Sequence, residues 1–276
     1  MKIAFSPCPN DTFVFHAWVH GLIPGAPGLD VMYADIDITN TLAAGANGLD
    51  VMKISYAALP WVLDKYALVP CGGALGRGNG PLVLTKSGGE PAELAGKRVA
   101  VPSERSTAYL LFRLWAAQRV PNGGLDIVVM PFHDIMPAVR DGAVDAGLVI
   151  HEARFTYPSY GLSKLADLGE WWEEDTGLPI PLGAIIAKRS LDKDAIARWA
   201  RASVEYAWAH PDASRAYVME HAQEMDPDVA KSHIELYVNR FTAELGEEGY
   251  AAVEALLGRA AAEGLVPAFD MALLRS

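Results

Sequence analysis

Two stretches, LAAGANGLDVMKIS (residues 42–55) and VRDGAVDAGLVIH (residues 139–151), decide how this 276-residue chain is to be read. Each runs from a helix end through a glycine turn to an aspartate, then into a short apolar strand. Each then places a polar residue at the strand's C-terminal end, Ser55 in the first and His151 in the second. Short apolar runs bounded by turn residues read as buried strands. Two explanations fit the echo. Strand-turn-helix units recur in many folds, so any α/β unit has this plan. Alternatively, the chain holds two similar lobes that offer strand ends to a shared cleft, the place where open α/β sheets bind ligands.

Working outward, the first two thirds alternate short strands and helices. Strands are expected at residues 2–6, 29–34, 50–54, 82–84, 98–101, 127–130 and 146–150. Helices are expected at residues 11–20, at 57–63, at 106–119 and near 135–140, with Thr39 and Asn40 capping a short helix that runs to Ala44. Residues 106–119 carry Leu110, Leu111, Leu114 and Trp115 on one apolar stripe. Such alternation predicts parallel sheets covered by helices. The last third offers no strand from Leu191 to Gly264 and reads as helices at residues 196–209, 213–224, 228–245 and 247–263.

The totals narrow the function classes. The length suits two lobes better than one compact core. The net charge of −11 argues against a nucleic-acid surface, whose footprint is basic. It leaves room for an anionic small ligand held by a few local donors. No apolar stretch approaches the roughly 20 residues of a membrane span. Lys2 is followed by three apolar residues and then by Pro7 and Pro9, which is no export signal, so a cytoplasmic location is expected. The two cysteines, Cys8 and Cys71, make no disulfide framework and read as free thiols.

Four strand ends carry polar clusters: Asn10-Asp11-Thr12, Ser55-Tyr56, PSERST (residues 102–107) and His151-Glu152. Ser106 and Thr107 stand at a helix start, where free N–H groups and the helix dipole favour a carboxylate or phosphate; plain N-capping explains the same residues. His151 alone among seven histidines follows a wholly apolar run at a strand end. In a partly closed site such a histidine accepts a proton at neutral pH; it can equally be a hydrogen-bonded structural residue. His16 and His20 are four apart on one helix face, but no third metal ligand accompanies them, so no metal is expected. The run CGGALGRGNG (residues 71–80) has neither the P-loop lysine nor a dinucleotide fingerprint and reads as a flexible connection between strands. Trp171-Trp172 and FTYPSYG (residues 155–161) either wall a pocket for a flat ring or fill core.

Four segments, SPCPNDTF (residues 6–13), DVMKISYAAL (50–59), VPSERSTAYLL (101–111) and GLVIHEARFTY (147–157), together resemble the 1,4-dihydroxy-6-naphthoate synthase family. These are enzymes that cleave cyclic dehypoxanthinyl futalosine on the futalosine route to menaquinone. The similarity runs over nearly the whole chain, with the segments in family order. The resemblance implies an α/β, periplasmic-binding-protein-like fold of class II: two lobes around a central cleft with a helical C-terminal segment. It implies two crossings, placed near residues 85–89 and 181–188. Lobe 1 would then hold residues 1–85 plus 186–276, and lobe 2 residues 86–185. It implies that His151 is the proton acceptor, and that Lys53, Ile54, Ser55, Ser106 and Thr107 bind substrate. Asn10, Thr12, Thr39 and Asn40 are further candidates, from their places near strand ends, for hydroxyls on the sugar-derived part of that substrate.

The implied activity is that of a cofactor-independent, carbon–carbon lyase. A base removes a proton, a carbon–carbon bond breaks, and aromatisation to a naphthalene drives the reaction, so no metal or redox cofactor is called for. The partner is a small-molecule carboxylate, with no nucleic acid and no membrane; a homodimer is compatible with this. Two alternatives share the fold: a chorismate dehydratase-like enzyme, and a non-catalytic carboxylate-binding protein. Fold alone does not choose among them.

Overall fold

The computed structural model describes residues 1–121, 124–222 and 226–276. In chain order the elements are β1 (Lys2–Phe5), α1 (Pro9–Val19), β2 (Asp30–Tyr33), α2 (Ile36–Ala44), β3 (Val51–Ser55), β4 (Tyr66–Gly76), β5 (Leu82–Thr85), β6 (Arg98–Val101), α3 (Thr107–Arg119), β7 (Asp126–Val129), α4 (Phe132–Arg140), β8 (Ala146–Val149), α5 (Ala153–Thr156), β9 (Ser163–Asp167), α6 (Leu168–Thr176), β10 (Ile180–Lys188), α7 (Lys193–Ala209), α8 (Arg215–His221), α9 (Pro227–Tyr237), α10 (Arg240–Ala243) and α11 (Gly246–Ala262). Among the described residues no helix is long and apolar enough to cross a membrane. The end of the helix expected at residues 213–224 falls outside the described residues.

The chain divides into two compact units, Met1–Gly76 with Pro181–Ser276, and Arg77–Ile180. The first change of unit therefore falls at Gly76–Arg77 rather than at residues 85–89. The reason is pairing: β5 is bonded on both sides within the second unit, antiparallel to β8 and to β9.

Each unit is built on a five-stranded sheet. The orders are β2-β1-β3-β10-β4 and β7-β6-β8-β5-β9. In the first, β1 is parallel to β2 and β3, and β10 runs antiparallel to β3. In the second, β6 is parallel to β7 and β8, and β5 runs antiparallel to β8. The sheets are thus mixed, not purely parallel as expected. The two echoing stretches end on β3 and β8, the third strand of each order, so they occupy equivalent places.

Local sequence explains most of the starts and stops. Pro9 opens α1 at the first helical position, where its missing N–H costs nothing. Ser106 caps α3 by accepting from the Tyr109 N–H, and Asp226 caps α9 through the N–H groups of Asp228 and Val229. Gly177, at φ 69°, ends α6. Helix α2 begins at Ile36, so Thr39 and Asn40 lie inside it rather than capping it. The glycine-rich run is not a flexible connection over its first part, since Cys71–Gly76 lies within β4. Glycine is required there because a Cβ on Gly73 would come within 2.7 Å of the Gly183 carbonyl of β10. Phe5, Phe15, Trp18, Val51, Ile185, Ile196 and Val204 form the first core. Leu82, Leu84, Ala100, Ile135, Val139 and Val149 form the second.

Candidate active site

In the first unit the polar residues converge on the end of β3. Strand alternation puts Lys53 and Ser55 on one face and Ile54, fully buried, on the other. The Lys53 stem lies over Gly183 of β10, and a Cβ there would come within 2.9 Å of its Cε. The Lys53 ammonium donates to Asp11 Oδ1 in a buried ion pair. Burial pushes the Asp11 carboxyl above the usual carboxylate range, while the Lys53 charge and the Ser6 backbone N–H pull it back. The ammonium is the principal charge acting against that effect of burial.

Asn10 donates its Nδ2 to Asp11 Oδ1 at 2.8 Å, and its Oδ1 lies 3.0 Å from His233 Nε2. Asn40 clamps Ser55 twice: its Oδ1 accepts the Ser55 N–H at 2.8 Å and its Nδ2 donates to the Ser55 hydroxyl at 3.0 Å. Thr12 and Thr39 stand apart from these contacts. The Thr12 hydroxyl donates to the carbonyls of Cys8 and Pro9, and that of Thr39 to the carbonyl of Ile36.

In the second unit, His151 lies two residues beyond the end of β8, after Ile150, and is half-buried. Its φ of 53° makes it the one non-glycine residue with left-handed backbone among the described residues. Such a backbone costs on the order of 1–3 kcal/mol and persists only where the surroundings enforce it. Phe132, at the start of α4, packs on the imidazole with ring centroids 5.6 Å apart. Glu152 lies beyond the strand with helical backbone, so strand alternation does not govern its direction.

The turn after His151 is held by Arg154. Its guanidinium donates to the Gly80 carbonyl at 2.8 Å and to Asp167 Oδ2 at 2.5 Å. Asp167 in turn caps α6, its Oδ1 accepting the N–H groups of Gly169 and Glu170. Ser106 uses its hydroxyl within its own turn, accepting from Tyr109 N and donating to the Ser103 carbonyl. Thr107, buried, is the first residue of α3.

The remaining sequence candidates have other places. Trp172 is fully buried and donates to the Pro179 carbonyl, and Trp171 donates to Gln118 of α3, so this pair is core. Tyr157 and Tyr160 pack on the second core. His16 and His20 pack with ring centroids 4.5 Å apart and lie against Tyr217. Both cysteines are buried thiols. Sequence reasoning did not single out Arg154, Asp167 or His233, and it left Asp11 unassigned beside Asn10.

The comparisons with known proteins agree with this architecture. A family model described as menaquinone biosynthesis matches residues 1–262. The 1,4-dihydroxy-6-naphthoate synthase of Streptomyces coelicolor is 71% identical over 271 residues, covering 97% of this chain and 95% of that protein. A crystal structure of a protein from Archaeoglobus fulgidus superposes with a TM-score of 0.88 at 36% identity, covering 96% of this chain and 98% of that one. The periplasmic aliphatic sulphonate-binding protein of Escherichia coli superposes with a TM-score of 0.69 at 14% identity, over 99% and 90% of the two chains, which shows the periplasmic-binding-protein-like fold. The chain belongs to the menaquinone biosynthesis family, among the relatives of 1,4-dihydroxy-6-naphthoate synthase.

Proposed function

We propose that this enzyme is a carbon–carbon lyase that converts cyclic dehypoxanthinyl futalosine to 1,4-dihydroxy-6-naphthoate in the cytoplasm, with His151 as the general base. The observation that carries the reading is the His151 backbone, held left-handed at the end of the central strand of its sheet. Strain of that kind gathers at functional positions, and it turns the imidazole out of the strand direction. His151 takes a proton from a substrate carbon. The electron pair released forms a new carbon–carbon double bond as a neighbouring carbon–carbon bond breaks. The departing sugar-derived fragment leaves with the pair of the broken bond and takes up a proton, and the bicyclic product aromatises. A positioned base contributes about 10²–10⁴-fold, and fixing the substrate supplies more.

Lys53 and Ser55 are the substrate-binding groups of β3, and their preset partners support that role. Asp11 and Asn40 hold them in place before any ligand arrives, which lowers the cost of ordering them on binding. Thr107, at the start of the 13-residue helix α3, supplies N–H groups suited to the substrate carboxylate.

The test is turnover by purified protein, with cyclic dehypoxanthinyl futalosine and chorismate assayed side by side. Product from the first and none from the second is expected, and the reverse would assign the chain to a dehydratase. His151→Asn should bind substrate and fail to convert it. Asparagine tolerates left-handed backbone, so this variant removes the base without disturbing the turn.

A further inference from the structure

The helical tail carries a histidine that belongs to no part of the reaction described above. His233, on α9, is 1% exposed and stacks on Tyr237 with ring centroids 4.4 Å apart. Its Nε2 lies 3.0 Å from Asn10 Oδ1, across 223 residues of sequence.

The hydrogen-bond directions in this contact are fixed by chemistry. Asp11 Oδ1 accepts from the Lys53 ammonium, and a carboxylate can only accept. The Asn10 atom facing it at 2.8 Å must therefore be the NH₂ nitrogen, which leaves Asn10 Oδ1 turned to His233. A carbonyl oxygen also only accepts, so His233 carries a proton on Nε2. The chain reads His233 Nε2–H to Asn10 C=O, Asn10 N–H to Asp11 carboxylate, and Lys53 ammonium to the same carboxylate oxygen. Every member is buried, and aligned donors in a low-dielectric interior strengthen one another. Each link crosses between elements or sets a rotamer: α9 holds α1 through Asn10, and α1 holds β3 through Asp11. Without the His233 donor, the Asn10 amide is free to rotate and the Asp11 carboxylate loses the direction of one of its two side-chain donors.

We propose that His233 is a positioning residue for the substrate-binding end of β3, acting through Asn10 and Asp11 to fix the Lys53 ammonium. The inference rests on the reading that Lys53 and Ser55 bind substrate. It assigns to the helical tail a part in recognition, and to Asn10 the role of a relay between His233 and Asp11.

Two variants separate positioning from mere packing. His233→Gln places an amide N–H near the position of Nε2, while His233→Leu fills similar space with no donor. His233→Leu should raise KM for cyclic dehypoxanthinyl futalosine about 10-fold with kcat within about 3-fold, the size expected for one neutral hydrogen bond. His233→Gln should return KM to within about 3-fold of the parent enzyme. A parent-like KM in His233→Leu overturns the proposal, and so does equal impairment of both variants with equally lowered thermal midpoints.

A second measurement needs no substrate. In ¹⁵N-labelled protein the His233 ring should show the Nε2–H tautomer. The Lys53 ammonium protons should be slow to exchange in the parent and in His233→Gln, and fast in His233→Leu. Slow exchange retained in His233→Leu overturns the proposal. If the parent protein turns over no substrate, the proposed function fails, and the exchange result alone decides the positioning role.

Discussion

The central strands β3 and β8 hold the same position in their sheets, and they end in opposite ways. At the end of β3 every polar group has a prearranged partner: Asn40 clamps Ser55 from two sides, and Asp11 takes the Lys53 charge. At the end of β8 the chain enters left-handed backbone on a residue with a side chain, half-buried against Phe132. One end is relaxed and saturated; the other is strained. A saturated end suits holding a ligand that does not change there, and a strained end suits a group that must meet a reacting atom. The shared strand order therefore supplies two scaffolds, and the residues at each strand end give them different local chemistry.

The largest effect expected from this contrast is on turnover. His151→Asn should lower kcat by about 10²–10⁴-fold with substrate affinity nearly unchanged, since it removes a base and keeps the backbone. Ser55→Ala should act the other way, with substrate affinity weaker by roughly 10-fold and kcat changed little, because it removes one prearranged polar group. Steady-state kinetics and calorimetric binding on both variants check this. A fall in kcat of equal size in the two would erase the distinction between the strand ends.

Stability should reveal a second asymmetry. Both units bury an ion pair, Lys53–Asp11 in the first and Arg154–Asp167 in the second. Lys53→Met leaves the Asp11 carboxylate buried with only Asn10 and the Ser6 N–H, and should cost about 3–5 kcal/mol. Arg154→Met should cost less. Asp167 keeps two N–H donors from α6, and Arg154 itself is 17% exposed on its side chain. Denaturant unfolding of the two variants gives the order. Adding Asp11→Asn to Lys53→Met should recover most of the loss, because the orphaned charge goes with it.

The parts of this molecule that were legible in its sequence share a physical property. Strands β1, β3, β6 and β8 are short apolar runs ended by turn or capping residues, and they stand nearly where the pattern puts them. Strands β4, β9 and β10 were not legible as strands. β4 is crossed by Pro70, Gly72 and Gly73, and β10 contains Pro181 and Gly183, residues that locally signal a break. Gly73 is there because β4 passes close to the backbone of β10, and Gly183 because the Lys53 stem lies over it, demands that only pairing reveals. At the candidate site, His151 stood out because it follows an apolar run. Its left-handed backbone did not, since histidine favours that conformation only weakly and most histidines do not adopt it. Asp11, Lys53 and His233 are far apart in sequence, so no spacing rule could join them.

A smaller effect is expected with acid, and it belongs to the first unit. His16 and His20 pack on each other and on Tyr217, and His221 stacks on Tyr33. Burial, aided by the His20 charge, holds the His16 pKa below its ordinary value. The unfolded chain therefore takes up this proton more readily than the folded one. The stability that neutral His16 contributes is complete above about pH 6.5 and is lost as pH falls below it. Thermal midpoints measured from pH 7.5 to 5.5 should decline, and His16→Phe should flatten the slope. An unchanged slope in that variant would place the acid response elsewhere.

The smallest effect is one of inertness. Cys71 lies in β4 with its thiol donating to the Ala197 carbonyl at 3.1 Å, and burial pushes its pKa up to about 12. At pH 8 the thiolate fraction is then about 10⁻⁴ of the total, and the thiolate is the reacting form. Labelling by a thiol reagent should therefore wait for unfolding of the first unit and proceed at the rate of that opening. This makes Cys71 a reporter for the other predictions. Lys53→Met should speed its labelling, because it loosens the sheet that holds β4. Arg154→Met should leave it nearly unchanged, because the loss it causes is confined to the second unit. Equal acceleration in both variants would mean that the two units unfold as one, and that their different strand ends share a single cooperative stability.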